Sequence, residues 1–389
     1  MSDQQLRFGT FVCGSCLEDE ALQKFANTSG EGCRCDYCGT NVATRKTVLV
    51  DKLVDFMAEA ISCEWCDPVQ TSPVDGGSYL VETIDSWELF DLIGFQVSNE
   101  RLMEDLLKAF ADHQWCAANW QLLSPSRRWH YGWNRFQHVV KHQRRYTFWY
   151  SRDDLEDVSH PDCLPPADML AEVDSVIGNV KLIKVLPIGT SIWRARIHSV
   201  DEIFETPDRF TPPPLHLANQ PNRMSPAGVP MFYGADDFDT ALIELLDPTN
   251  GKTKSKASGA QFRNVVPLNL LDLTSIPSPP SYFAPGGPVR RHAIQFLSRF
   301  AKDLSQPIEK DGRQHIEYVP TQVFTEFVRF LMKTPEGGPV DGIRYSSSKN
   351  GRPCSVIFAT QEECLPDGPL AMVTQRLEFV PGSTKSVTI

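Results

Sequence analysis

Apolar residues first fall into a regular pattern after residue 46. In LVDKLVDFMAEAIS, Leu49, Val50, Leu53, Val54, Phe56, Met57 and Ile61 recur at helical spacing, which predicts an amphipathic helix with one buried face. SNERLMEDLLKAFADHQ repeats the pattern, with Leu102, Leu106, Leu107 and Phe110 on one face and Ser98 placed as the N-cap. WNRFQHVVKHQRRYTFW predicts a third helix. Proline and glycine turns such as SPVDGG separate these segments, so residues 46–178 read as a mostly helical domain bounded by the proline-rich stretch HPDCLPP.

After Gly178 the periodicity shortens. VKLIKVLP, SIWRARI, FRNVVPLNLLDL, GIRYSS, CSVIFAT and QRLEFV read as strands, while FDTALIELL and PVRRHAIQFLSRFAKDL are helical by period. Helices and strands are interspersed without a regular βαβ alternation, so residues 179–389 are expected to form an α+β domain around a mixed β core.

Residues 1–45 follow neither pattern. Few apolar residues separate Cys13-Gly-Ser-Cys16 from Cys35-Asp-Tyr-Cys38, with eighteen residues between the pairs. A segment so short of core residues needs a staple, and two CxxC pairs can converge four thiolates on a tetrahedral Zn²⁺. The expected ligands of this structural zinc are Cys13, Cys16, Cys35 and Cys38, with Cys33 as an alternative to Cys35. Cys63 and Cys66 form a lone CxxC and are read as structural.

Composition narrows the function classes. Among 389 residues there are 29 prolines and 24 glycines, yet no internal repeat, which excludes solenoids and propellers. A formal charge of -11 argues against nucleic-acid binding through the overall field. No window approaches the roughly 20 apolar residues that cross a bilayer, and the polar start SDQQLRFGT lacks a targeting pattern. The eleven cysteines, an odd number, suit metal ligation in a reducing compartment. Together these features lead us to expect a soluble, cytoplasmic protein without a membrane partner.

The common nucleotide and hydrolase fingerprints (GxGxxG after a strand, a Walker A loop, HExxH, GxSxG) do not occur. What remains are polar residues set within apolar patterns: Arg194 in SIWRARI, Glu244 in FDTALIELL and Ser347 in GIRYSSS. A glutamate on a helix is more often simply solvated, and an arginine in a strand more often faces outward.

The ordered set IWRAR, NRMSPAGVPMFYGADDFDTALIE, YVPTQVFTEFVR and DGIRYSSSKNGRPCSVIF resembles the RES domain, over residues 180 to 362. The front of the chain, through CDYCG, GGSYLVETIDSWELF and WNRFQHVVKHQRRY, is similar to the HEPN/RES N-terminal domain. The resemblance implies an ADP-ribosyltransferase-like fold that consumes NAD⁺, releasing nicotinamide by phosphorolysis or hydrolysis. It also implies a toxin or defence effector restrained by an antitoxin or another regulatory partner. Arg194, Glu244 and Ser347 are then the catalytic candidates. Arg223 and Tyr233 are candidates for holding the dinucleotide.

The chemistry suits these residue types. Cleaving the nicotinamide–ribose bond expels a neutral leaving group and passes through an oxocarbenium-like state, so a carboxylate such as Glu244 beside the ribose is the central requirement. A guanidinium such as Arg194 or Arg223 suits the pyrophosphate or an attacking phosphate. Tyr233 would stack on the nicotinamide or ribose, and Ser347 would hydrogen-bond the ribose or amide. Arg196 competes with Arg194 on the same strand face, and Ser346 and Ser348 compete with Ser347; the family often carries proline at position 346.

Three rival readings stand beside this one. Arg135 and His142 have the spacing of a HEPN-type ribonuclease pair. Arg127, Arg128, Lys141, Arg144 and Arg145 near Trp129, Trp133 and Tyr146 would suit nucleic-acid sensing. A protein side chain replacing phosphate or water as acceptor would make the enzyme a protein ADP-ribosyltransferase. Pairing of the helical domains into a homo-oligomer is a further expectation.

Overall fold

The computed structural model describes residues 9–42, 46–110, 114–150, 161–246, 255–307, 312–365 and 374–389. The start of the chain at residues 1–8, the first three residues of ADHQ (111–113) and the first residue of HPDCLPP lie outside these. Two compact units emerge: residues 1–125 with 278–292, and residues 126–277 with 293–389.

The first unit is mostly helical. Strands β1 (Phe11–Cys13) and β2 (Thr47–Leu49) pair antiparallel, with Val12 opposite Val48. Around them stand α1 (Glu20–Ser29), α2 (Val50–Ile61), α3 (Ser86–Ile93) and α4 (Glu100–Ala109). Leu53, Met57 and Ile61 of α2 are fully buried. Each contributes on the order of 1.5–3 kcal/mol by leaving water.

Helix α1 was not anticipated from the sequence. Its apolar positions are few, but Asp19 caps it, its carboxylate accepting from the Ala21 and Leu22 amides at 2.9 and 3.1 Å. Leu22 and Ala26 then join Val12 and Leu17 in one core with α2, α3 and α4. Two boundaries also differ from expectation. The cap of α4 is Asn99, whose side chain accepts from the Leu102 amide at 3.1 Å, whereas Ser98 Oγ donates to the Cys16 carbonyl at 3.4 Å. Leu49 belongs to β2, so α2 begins at Val50.

The second unit is an α+β body, a curled mixed sheet with helices, and it includes residues 126–178, which the sequence placed in the helical domain. Its strands are β3 (Ile183–Leu186), β4 (Ser191–Ser199), β5 (Phe232–Ala235), β6 (Ser255–Asn264), β7 (Leu268–Asp272), β8 (Gly342–Ser346), β9 (Pro353–Ile357), β10 (Leu377–Phe379) and β11 (Lys385–Thr388). Their order is β10-β6-β4-β5-β9-β8-β7-β3, and β11 also pairs with β6. Only β7 and β8 run parallel among the described pairs, Leu271 lying opposite Ile343. The segment read as one strand, FRNVVPLNLLDL, divides between β6 and β7, because Pro267 has no amide to give a ladder.

Helices α5 (Pro125–His142), α6 (Pro166–Val180), α7 (Phe238–Leu245), α8 (Gly287–Ser305) and α9 (Val319–Phe330) complete the fold; α8 belongs to this unit from Ala293 onward. The helix expected over WNRFQHVVKHQRRYTFW instead spans Pro125–His142, so RRYTFW follows it. Trp133 and Phe136 of α5 pack with Val173 and Ile177 of α6, Phe296 and Phe300 of α8 and Phe324 of α9 in one core. Gly132 permits the approach of α5 to α6, since a Cβ there would stand 2.7 Å from Leu164 Cδ2 and 3.0 Å from Met169 Sδ. The opposite cluster joins Ile192, Phe210, Phe232, Phe262 and Ile357. No helix among the described residues is long and apolar enough to cross a membrane.

Candidate functional site

Helix α7 begins at Asp237, whose carboxylate accepts from the Thr240 amide and hydroxyl, both at 2.8 Å. Its first residue, Phe238, rests on the sheet where Gly259 of β6 leaves room; a Cβ at 259 would meet the Phe238 ring at 2.7 Å. Trp193 of β4 meets the same ring edge to face at 5.6 Å. With its start thus fixed, the last turn of α7 presents Glu244.

The loop after β8 grips this last turn. Ser347 Oγ donates to Glu244 Oε1, and the Lys349 amide donates to Ser347 Oγ at 3.2 Å. Lys349 Nζ donates to the carbonyls of Ile243 at 2.8 Å, Glu244 at 3.3 Å and Leu246. These are carbonyls at the negative end of a helix, where an ammonium both satisfies orphan acceptors and meets the dipole. Asn350 Nδ2 donates to Thr240 Oγ1 at 3.0 Å, tying the loop to the start of α7 as well.

Across the site the charge is positive. Strands β4 and β5 share a single bridge, Trp193 opposite Ala235. Beside that bridge Arg194 Nη1 donates to the Tyr233 carbonyl at 2.9 Å, and its guanidinium carbon lies 5.2 Å from the centre of the Phe232 ring. Arg194 Nε is buried without a hydrogen-bond partner. Arg196 Nη2 donates to the Thr211 carbonyl at 2.6 Å.

Among the described residues neither guanidinium forms a salt bridge. Burial, reinforced by Arg196, pushes Arg194 down to about 9, and burial together with Arg209 lowers Arg196. A buried cation with an unpartnered donor and no carboxylate beside it calls for an anionic ligand.

Tyr233 hydrogen-bonds Ser225 through its hydroxyl at 2.9 Å, and burial raises the phenol to about 12. Arg223 Nη1 is committed to the Leu304 carbonyl at 3.1 Å and to that of Gln306. Arg194, Arg196, Arg223, Tyr233, Glu244 and Lys349 all line one cavity of about 1180 Å³. Ser348 lines it too, whereas Ser347 is buried behind Glu244, and Ser346 ends β8. The space is at the large end for small-molecule sites and suits a dinucleotide.

Arg196 and Lys349 carry much of this geometry. Sequence reasoning treated Arg196 only as a competitor of Arg194 and passed over Lys349. A lysine two residues beyond the serine, within SSSKNG, was the one available signal for the loop.

The first unit holds a separate constellation. The sulfurs of Cys13, Cys16, Cys35 and Cys38 lie within 4.8 Å of one another. Cys13 to Cys16 is 3.8 Å, Cys13 to Cys38 is 3.6 Å and Cys16 to Cys35 is 3.7 Å. Four sulfurs about 2.3 Å from a tetrahedral Zn²⁺ would be separated by about 3.8 Å, so the donor set fits that ion. The Cys13 amide points at Cys35 Sγ at 3.4 Å, and Cys38 Sγ bonds Thr40 Oγ1 at 3.3 Å, which with other hydrogen bonds lowers Cys38 to about 6. Cys33 is exposed and outside this group. The lone CxxC faces elsewhere: Cys66 Sγ lies 3.7 Å from Cys116 Sγ.

On α5, Arg135 Nη1 donates to Cys163 Sγ at 2.7 Å, and the His138 and His142 rings stand 5.3 Å apart. Of the aromatic residues beside this basic helix, Trp133 is core and Trp129 donates to Glu172 Oε2 at 3.1 Å, while Tyr146 is exposed.

Residues 28–154 match the family model of HEPN/RES N-terminal domain 1, and residues 191–379 match that of the RES domain. Arg194, Arg223, Tyr233, Glu244 and Ser347 fall within the second match; Cys35 and Cys38 fall within the first, and Cys13 and Cys16 precede it. No curated protein and no solved structure matches the chain.

Proposed function

The chain carries a RES domain behind a HEPN/RES N-terminal domain, a family with a toxin-like role tied to NAD, and on that premise we propose that it severs the nicotinamide N-glycosidic bond of NAD⁺. The observation that carries this reading is Glu244, held by Ser347 at the wall of a cavity that Arg194, its Nε without a hydrogen-bond partner, also lines.

The pyrophosphate lies against Arg194, with Arg196 adding to the positive field and Arg223 reaching the same cavity. That placement brings the nicotinamide ribose to Glu244. As the C1–N bond breaks, its electron pair leaves with nicotinamide, which departs neutral. The positive charge left on the ribose is stabilised by the Glu244 carboxylate in a partly desolvated setting. Ser347 and Lys349 hold that carboxylate in position before substrate arrives, so little reorganisation accompanies the reaction. Phosphate or water then adds at C1, giving ADP-ribose-1''-phosphate or ADP-ribose.

In the first unit, Cys13, Cys16, Cys35 and Cys38 would hold a structural Zn²⁺, which supplies a crosslink and no reaction chemistry. An active enzyme of this kind would empty the cell of NAD⁺, so a restraining partner belongs to the reading.

The test is product analysis of the purified chain incubated with NAD⁺, with and without phosphate. ADP-ribose-1''-phosphate assigns phosphorolysis, ADP-ribose assigns hydrolysis, and NAD⁺ left intact defeats the proposal.

A further inference from the structure

The fold divides the lone CxxC at Cys63 and Cys66. Cys63 is exposed and its Sγ donates back to the Glu59 carbonyl at 3.7 Å, whereas Cys66 is half-buried and meets Cys116, fifty positions away. Both partners lie in the first unit, in the short strands Trp65–Cys66 and Cys116–Ala117.

Pairing of these strands puts the two cysteines in register. They run antiparallel, with Trp65 opposite Ala117 and Cys66 opposite Cys116. Next to them the Ala118 amide donates to the Glu64 carbonyl at 2.8 Å. Bonded pairs alternate along an antiparallel ladder, so Cys66 and Cys116, two positions on from Glu64 and Ala118, form a bonded pair with Cα atoms about 5.5 Å apart. A disulfide spans about 4.4–6.8 Å between Cα atoms, most often near 5.5–6 Å, so the backbone has the spacing that the bond requires. The sulfurs themselves stand 3.7 Å apart. Rotation about the Cα–Cβ bonds covers the remaining distance to about 2.05 Å.

The surroundings suit thiol chemistry better than metal ligation. Among the described residues no third His, Cys, Asp or Glu donor joins this pair as a metal site, unlike the four sulfurs of Cys13, Cys16, Cys35 and Cys38. The third neighbour is Thr71, whose Oγ1 lies 3.5 Å from each sulfur. Thr71 is fixed by its turn, Pro68–Thr71, which Asp67 caps, and by Trp120 Nε1 donating to its carbonyl at 3.3 Å. A hydroxyl donating to sulfur favours the thiolate, the form that attacks. Burial pushes the Cys116 thiol up, and the Thr71 hydroxyl opposes that rise. Cys66 is the more accessible of the two, so an oxidant reaches it first.

We propose that Cys66 and Cys116 form a reversible cross-strand disulfide that responds to hydroperoxides. The Cys66 thiolate attacks a peroxide oxygen, the O–O bond breaks, and the departing hydroxide becomes water with the proton that the thiol has shed. Cys66 is left as the sulfenic acid. The Cys116 sulfur then attacks the Cys66 sulfur, the S–O bond breaks, and the second hydroxide leaves as water with the Cys116 proton. Two thiols and one hydrogen peroxide thus give one disulfide and two waters. Two molecules of reduced glutathione restore both thiols and leave as glutathione disulfide. The bond closes a loop that contains α3 and α4, so oxidation stiffens the first unit.

The test treats the reduced full chain with stoichiometric hydrogen peroxide, blocks free thiols and maps the peptides without reduction. A peptide pair joining Cys66 to Cys116 appears, and excess reduced glutathione removes it. The oxidised chain melts about 5 °C or more above the reduced one. That difference vanishes in Cys116→Ala and in Cys66→Ser and persists in Cys63→Ser. Because Cys116 is a core residue, Cys66→Ser, at a half-buried position, stands as the independent arm.

Cys66 joined to Cys63 overturns the proposal, as does a Cys66 left without any bond. A bond that survives excess reduced glutathione is a fixed crosslink and overturns it too. So does a second zinc per chain that is lost in Cys66→Ser. The readouts are thiol state and melting, so a chain that leaves NAD⁺ intact would defeat the reaction proposed above without touching this result.

Discussion

Ser347 Oγ donates to Glu244 Oε1 across 103 positions of chain, joining the loop after β8 to the last turn of α7. Ser347→Ala should remove this anchor while leaving the carboxylate in place. NAD⁺ consumption should fall by roughly 10²-fold, the scale seen when one preorganised hydrogen bond is lost, and Glu244→Gln should lower it by at least as much. Steady-state rates with folded protein, judged by circular dichroism, check both.

In the proposed reaction Lys349 acts through Glu244, whose helix end it holds. Lys349→Met should unfasten the end of α7, lowering stability by about 1 kcal/mol. It should reduce kcat more than KM, and Lys349→Arg should recover part of the loss. A rise in KM with kcat intact would instead make Lys349 a substrate contact.

Arg194 supplies a pH signature. Its guanidinium, ordinarily near 12.5, is pushed down to about 9 by burial and by Arg196. The folded state therefore disfavours its charged form, and this cost is fully present below about pH 9 and fades as pH rises through that value. Over the same window the cation that holds an anion is lost. The KM for NAD⁺ should be flat at neutral pH and climb above about pH 9, whereas Arg194→Gln should have a high KM without that climb. At pH 7.5, saturating adenosine diphosphate should raise the melting temperature of the wild-type chain and not that of Arg194→Gln.

Metal content can be counted. The purified chain should hold one zinc, retained in Cys33→Ser and lost in Cys35→Ser. Strong chelation should lower the melting temperature, because metal binding and folding of such a segment are coupled. Chelation should leave the products formed from NAD⁺ unchanged in kind.

Gly132→Val should destabilise the chain by about 1–3 kcal/mol through the clash with Leu164 and Met169, read as a lower denaturant midpoint.

Much of the fold was legible because periodicity reports burial directly. The faces of α2, α4 and α7 appear in the apolar pattern, as do strands β3, β4, β7, β8, β9 and β10 and the end of β6, whereas β5 and β11 were not read as strands. Helix α1 escaped because its burial is supplied by residues remote in sequence: Leu22 and Ala26 have too little periodicity of their own, and the core they join includes Leu53 and Leu106. Ser98 and Asn99 are both good caps, and only the backbone conformation decides between them.

The candidate site follows the same division. Arg194, Glu244 and Ser347 could be singled out as polar residues within apolar runs, in an order that resembled a family. The grip of Lys349 on three carbonyls could not, since a lysine in a serine-rich turn carries no local mark of what it will reach. Nor does a sequence reveal that an arginine's Nε will be left without a partner.

The clasp on α7 also sets a schedule. During synthesis α7 emerges long before the loop at residues 347–350 that steadies its final turn, and β9, which follows that loop, is the strand that joins β8 to β5. A nascent chain halted short of this point carries Arg194 and Glu244 but lacks the loop that holds the Glu244 carboxylate. In the proposed reaction, competence would therefore arise only after the loop at residues 347–350 and β9 have been made.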